Sequence, residues 1–273
     1  MSAPIFGIFK KTLSFALGAS LWALALPAHA GSSPWAESEH AQARLIAEKD
    51  AVGAAPTIRV ALQIRLDDGW HTYWRTPGDA GVPPEFDWSG SEGIREARVH
   101  WPVPKRLVEG DLVSLIYERE VVLPIEIASA APGRPIALVL KAVFGVCADI
   151  CIPVEAAMRL DLPDGAGQAT PFADLIERHA LRVPRRDASA GLGVVAVERP
   201  GGALRLRAAS TAPFVAPDLL IEGGGFGAEK PRIALSPDRR EATFELAAPK
   251  RPAAGPLVFT LIDGPRAHET TRE

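Results

Sequence analysis

Residues 138–162 read LVLKAVFGVCADICIPVEAAMRLDL and contain the only two cysteines of the chain. Apolar residues alternate with other residues before the cysteines and again after them, a period typical of half-buried β-strands. The segment therefore predicts two consecutive strands, with Cys147 and Cys151 at or near their connection. The alternating residues are Leu138, Leu140, Ala142 and Phe144 before the cysteines, and Met158, Leu160 and Leu162 after them.

The same alternation recurs elsewhere. Residues 57–66 place apolar side chains on one face and polar ones, including Arg59 and Gln63, on the other, which predicts a half-buried strand. Proline and glycine predict a loop over Thr76–Pro84. Many short strands predict an all-β fold with an immunoglobulin-like antiparallel β-sandwich. The other predicted strands are one within residues 31–55, Trp70–Arg75, Phe86–Trp88, Ala97–Trp101, Leu115–Tyr117, Val121–Ile127, Ile136–Phe144 and Ala157–Leu162.

A second, smaller β-sandwich domain is predicted after a short helix. Thr170 and Pro171 resemble an N-cap and first helical position, and the helix should end before Pro184. Strand alternation then returns, whereas tryptophan, tyrosine and cysteine are absent from residue 191 onwards. The predicted division is residues 1–30 as signal peptide, 31–165 as the immunoglobulin-like domain, 166–189 as a helical connector and 190–273 as the second β domain.

The N-terminus predicts export. Lys10 and Lys11, an apolar run and Ala28-His29-Ala30 follow the order of a cleaved secretory signal. Cleavage would remove two lysines and no acid, so the formal net charge would change from -3 to -5. This charge disfavours nucleic acid and anionic membranes as partners, and the apolar run is too short for stable membrane insertion. Export places the thiols in an oxidising compartment.

Three interpretations of the cysteine pair stay open on its spacing alone. A thiol–disulfide exchange site is favoured because a disulfide closing five residues would contribute only about 2 kcal/mol to stability. A structural disulfide in a binding or adaptor domain is the second interpretation. The third is a copper(I) site formed by Cys147, Cys151 and Met158, because soft sulfur ligands suit that ion. No organic cofactor is needed for exchange, and the histidines lack metal-ligand spacing.

The aromatic cluster of Trp70, Tyr73, Trp74 and Trp88 is interpreted mainly as core and sheet surface. Its functional alternative is to shield the sulfur atoms or to dock a partner.

Three motifs in this order resemble the periplasmic N-terminal region of the DsbD/ScsB thiol:disulfide interchange family. The first is GWHTYWRTPGDAG at 69–81, the second is YEREVVLP at 117–124 and the third is VCADICIP at 146–153. The resemblance covers residues 35–162 and extends more loosely into the second β domain.

The resemblance implies an immunoglobulin-like module with protein-disulfide reductase-like activity, related to cytochrome c biogenesis. In this family the module receives electrons from a membrane-embedded or thioredoxin-like donor and reduces periplasmic disulfide-containing proteins. It implies Cys147 and Cys151 as the redox pair, with Cys151 as the site of the mixed disulfide. A cap loop is expected at Asp111, Leu112 and Val113, and further docking candidates are Tyr117, Tyr73 and Trp74.

Two features depart from the family pattern. Better-known members have more residues between their cysteines, so their loop geometry does not transfer to this chain. The sequence given also has no multi-span or thioredoxin-like C-x-x-C segment, from which we expect the electrons to come from separate polypeptides.

Overall fold

The computed structural model describes residues 31–273, so the predicted signal peptide lies outside the described residues. Residues 36–162 form two antiparallel sheets packed face to face, which confirms the predicted sandwich. The first sheet contains, in spatial order, β1 (Ala36–Ser38), β2 (Ala41–Ala47), β3 (Thr57–Leu66), β9 (Glu120–Ser129) and β6 (Ile94–Val99). The second contains β11 (Cys151–Leu162), β10 (Ile136–Cys147), β4 (His71–Gly78), β8 (Leu112–Glu118) and β7 (Lys105–Glu109), with β5 (Glu85–Asp87) beside β10.

The hairpin of β10 and β11 is the longest pairing in the second sheet. Its register runs without interruption from Ile136 opposite Leu162 to Cys147 opposite Cys151. The even-numbered residues of both strands point into the core, as the alternation predicts, with Leu138 and Leu140 completely buried. The odd-numbered residues, including both cysteines, therefore lie on the outer face of this sheet.

The structure corrects three details of the sequence interpretation. Gln63, predicted on a solvent face, is completely buried. Helix α1 (Ala173–Ala180) packs over the outer face of the first sheet, mainly against β9, and Ile176 lies in one buried cluster with Ala61 and Val122, so the connector also covers the sandwich. In addition, β4 continues to Gly78, and the loop predicted from Thr76 begins only after that glycine.

The second sandwich uses residues 192–272. One sheet contains β12 (Leu192–Glu198), β13 (Leu204–Ser210), β16 (Glu241–Leu246) and β15 (Arg232–Leu235), in that spatial order. The other contains β14 (Pro217–Glu222), β17 (Leu257–Asp263) and β18 (Arg266–Arg272). A separate core forms between them, with Leu206, Phe244 and Phe259 completely buried. The chain therefore has two sandwiches with distinct cores.

Charged contacts join the two sandwiches beside β4. Arg75 Nε donates to Glu222 Oε2 at 3.0 Å, and Arg75 also pairs with Glu269. Both carboxylates belong to the second sandwich and are largely buried, since their side chains are 15% and 6% exposed. Arg106 adds a second contact, with Nη2 3.1 Å from Asp218 Oδ1. The end of β4 is thus held from both sandwiches.

Within residues 31–273, no helix is both long enough and apolar enough to cross a bilayer.

Candidate functional site

Cys147 and Cys151 form a disulfide at the end of the β10–β11 hairpin. Cys147 is the last residue of β10 and Cys151 the first of β11, and the two lie directly opposite each other in the ladder, with Cα atoms 4.2 Å apart. Only Ala148, Asp149 and Ile150 connect them. The bond therefore joins neighbours that the sheet already holds together, and it does not link distant parts of the fold.

The two cysteines differ in their exposure. Cys147 is 1% exposed and packs with Tyr73, Ile116 and Leu107. Cys151 is exposed, and the neighbouring Ile150 is 64% exposed. A thiolate on another protein can therefore reach Cys151, whereas the strand and its neighbours shield Cys147.

Tyr73 contacts the disulfide through a polar atom. Its hydroxyl oxygen lies 3.4 Å from Cys151 Sγ. Burial raises the pKa of this phenol, and the negative charge of Glu109 raises it further, so the hydroxyl keeps its proton at neutral pH and can donate it to sulfur.

Two glycines make room for the Tyr73 ring. A Cβ atom on Gly81 would lie 2.3 Å from Tyr73 Cε1, and one on Gly145 would lie 3.2 Å from Cε2. Gly81 also has a φ of +100°, which favours glycine. The loop after β4 therefore lies over the tyrosine, with Val82 close to Gly145 and so near the disulfide.

The predicted cap residues Asp111, Leu112 and Val113 lie at the end of the β7–β8 hairpin. Leu112 is 51% exposed, and Val113 exchanges two hydrogen bonds with Asp79, each 2.9 Å long. These bonds tie the hairpin to the loop over Tyr73. The same hairpin reaches Cys147 through Leu107, a residue that the sequence interpretation did not select.

The predicted docking residues Trp74 and Tyr117 point away from this face. They are 1% and 6% exposed and belong to the main core, and the Tyr117 hydroxyl donates to the carbonyl oxygen of Pro102 at 2.5 Å. Burial raises the pKa of Tyr117 well above its usual value. Of the three predicted aromatic docking residues, only Tyr73 is brought to the disulfide.

The ligands considered for copper are not brought together. Met158 is 4% exposed and lies in the core opposite Leu140, whereas Cys147 and Cys151 face outward on the same sheet. Within residues 31–273, no group of three or more His, Cys, Asp or Glu side chains is arranged to hold a metal ion.

We expect Tyr73→Phe to keep the fold and to raise the pKa of the Cys151 thiol in the reduced protein, because a thiolate would lose a hydroxyl donor. The pH dependence of alkylation by iodoacetamide measures that pKa. Tyr117→Phe is the matched control, because its hydroxyl bonds to Pro102 and lies in the core. An unchanged pKa in Tyr73→Phe would show that the contact has no part in thiol ionisation.

Known proteins resemble both halves of the chain. Residues 42–163 match the family model described as the N-terminal domain of the thiol:disulfide interchange protein DsbD, and residues 182–273 match a domain of unknown function, DUF8393. The fold is similar to the crystal structure of the N-terminal periplasmic domain of ScsB from Proteus mirabilis, with a TM-score of 0.68 and 25% sequence identity over 89% of this chain and 97% of that chain. No curated protein matches the chain significantly. The sandwich that carries the disulfide therefore matches the DsbD N-terminal domain over residues 42–163, in agreement with the resemblance of the sequence motifs.

Proposed function

We propose that this protein is a periplasmic thiol–disulfide exchange module that passes electrons through the Cys147–Cys151 pair. The domain of residues 31–165 carries the exchange site, and the domain of residues 190–273 supports it. The electron donor is a thioredoxin-like protein or a membrane-embedded protein, and the acceptors are disulfide-containing proteins of the periplasm. The N-terminal segment acts as the export signal.

Reduction of the module takes two steps. A donor thiolate attacks Cys151 Sγ, the bond to Cys147 breaks, and Cys147 leaves as a thiolate. The second thiolate of the donor then attacks the donor sulfur in the mixed disulfide and releases Cys151 as a thiolate. The donor pair is oxidised and the module gains two electrons.

Transfer to an acceptor reverses these roles. The Cys151 thiolate attacks a disulfide of the acceptor, which releases one acceptor thiolate and leaves a mixed disulfide at Cys151. Cys147 then attacks Cys151 Sγ, which closes the ring and releases the second acceptor thiolate. Cys147 acts within the molecule, so its burial does not prevent this step.

The difference in exposure between the two sulfur-bearing residues carries this proposal. An exchange couple needs one residue within reach of a partner and a second that acts only on the first. Cys151 is exposed and Cys147 is 1% exposed, so the hairpin meets both requirements. The match to the family model supports the same chemistry, because that model describes a thiol:disulfide interchange protein.

The test is reduction of the oxidised protein by a reduced thioredoxin-like protein, followed by acid quenching and alkylation of free thiols. We expect reduction of the pair and a reduction potential above about -300 mV, the range of disulfides that exchange. Protein that was reduced and alkylated beforehand is the control and should oxidise no donor. A potential below about -300 mV, with no transfer from the donor, would instead support a structural disulfide in an adaptor domain.

A further inference from the structure

A cleft of about 490 Å³ opens beside the disulfide loop on the outer face of the second sheet. Ala148 and Asp149 of the loop form one side, and Leu107 and Glu109 of the β7–β8 hairpin form another. His71 lies at its base, paired with Cys147 in the ladder. A partner that reaches Cys151 therefore approaches this cleft.

The cleft is negatively charged. Four carboxylates line it. The nearby cations are Arg119, which also lines the cleft, and Lys105, which pairs with one of the carboxylates. Four negative and two positive charges leave a formal net charge of -2. The four carboxylates belong to Asp68, Glu109, Glu118 and Asp149. All four residues are exposed, and only Glu118 has an ion-pair partner among the described residues.

His71 provides an independent sign that the cleft receives a ligand. The residue is 7% exposed, and its ring packs edge-on against Tyr73 with centroids 5.3 Å apart. Its ring nitrogens have no hydrogen-bond partner within residues 31–273, and neither nitrogen is closed off from solvent, although the rest of the side chain is buried. The ring is thus available to a polar group in the cleft.

Exposed apolar side chains lie near the disulfide as well. Ile150, within the disulfide ring, is 64% exposed, and Val82, in the loop over Tyr73, is 55% exposed. Exposed apolar residues bordered by polar ones are typical of a surface that binds another protein.

We infer that this cleft binds the cysteine-bearing segment of the exchange partner, and that this segment carries a lysine or arginine next to its cysteine. The inference rests on the proposed exchange function and specifies the chemistry of the partner. An attacking thiolate is an anion, so the net negative charge of the cleft opposes its approach. A cation beside the thiolate offsets that repulsion and pairs with Glu109 or Asp149, while His71 hydrogen-bonds the partner backbone.

The test uses two short thiol peptides as probes, one with lysine on both sides of its cysteine and one with glutamate on both sides. Rates of reduction of the disulfide are divided by the thiolate fraction of each peptide. At low ionic strength we expect the lysine peptide to react about tenfold faster, a ratio that falls towards one at high salt. The double variant Glu109→Gln/Asp149→Asn should lose most of this preference, and Glu198→Gln in the second sandwich is the matched control.

Equal rates for the two peptides at low salt would overturn the inference, as would a preference that survives in the double variant. Reduction by a thioredoxin-like protein is measured on the same samples. Transfer from that protein without a charge preference would refute only the docking inference. Failure of the transfer itself would refute the proposed function.

Discussion

A Cys147→Ser variant is expected to react with a small aromatic disulfide about 10³-fold faster than a Cys151→Ser variant. Cys151 is exposed, so the single thiol of Cys147→Ser is open to attack. The single thiol of Cys151→Ser lies among Tyr73, Ile116 and Leu107 and reacts only after local opening of the hairpin. Release of the thiolate chromophore from Ellman's reagent measures both rates.

Both variants should keep the fold, because a five-residue ring contributes only about 2 kcal/mol. The unfolding free energy from urea titration checks this, and Cys147→Ser/Cys151→Ser is the blank for the chromophore. Comparable rates in the two single variants would contradict the assignment of Cys151 as the attacked residue. Unfolding of either variant at room temperature would indicate a structural disulfide.

The hairpin could be predicted from the sequence because its physics is local. Alternation with a period of two places Leu138 and Leu140 inside. Because one alternating segment ends before the cysteines and another begins after them, the cysteines are expected at the ends of two strands, as observed. The same rule separates Tyr73 from Trp74, since consecutive strand residues face opposite sides. If Tyr73 lies on the outer face of β4, alternation places Trp74 on the inner face, where it cannot dock a partner.

The surroundings of the disulfide depend on contacts that no local pattern encodes. Leu107 reaches Cys147 from a strand that was not predicted, and Gly81 lies over Tyr73 from a loop. The glycine content of that loop was the local feature that could have indicated this contact, but glycine is typical of a turn as well as of a close approach of the backbone to a side chain. Burial of Gln63 likewise depends on neighbouring strands, because its side chain accepts from Arg44 Nε at 2.8 Å and donates to Glu120 Oε1 at 2.7 Å.

The contact between the sandwiches could not be predicted from the sequence, because its residues lie far apart along the chain. Arg75 and Glu222 are 147 positions apart, and Arg75 and Glu269 are 194 apart. Arg75 also follows Tyr73 by two positions on β4, so the second sandwich holds the strand that carries the hydroxyl group in contact with Cys151 Sγ.

We therefore expect Arg75→Met to lower the free energy of unfolding by about 3 kcal/mol, because it leaves Glu222 and Glu269 largely buried without their cation. Urea titration at pH 7 measures the change. Arg98→Met is the matched control: its ion pair with Glu96 is more than half exposed, and its loss should cost less than about 1 kcal/mol. A cost as small as that of the control would show that the network does not hold the sandwiches together.

The same network predicts how this cost depends on pH. Burial tends to raise the pKa of Glu269, but hydrogen bonds and positive charge from Arg75 and Arg186 outweigh it and hold the pKa below its usual value. A carboxyl with a lowered pKa stabilises the fold above its unfolded pKa of about 4.3, and this contribution is lost as the pH falls through the folded value. In Arg75→Met the main cause of the lowering is absent, so less stability remains to be lost on acidification. The difference in unfolding free energy between wild type and Arg75→Met should therefore shrink as the pH is lowered from 7 to 3, and a difference that stays constant would exclude ionised Glu269 as its source.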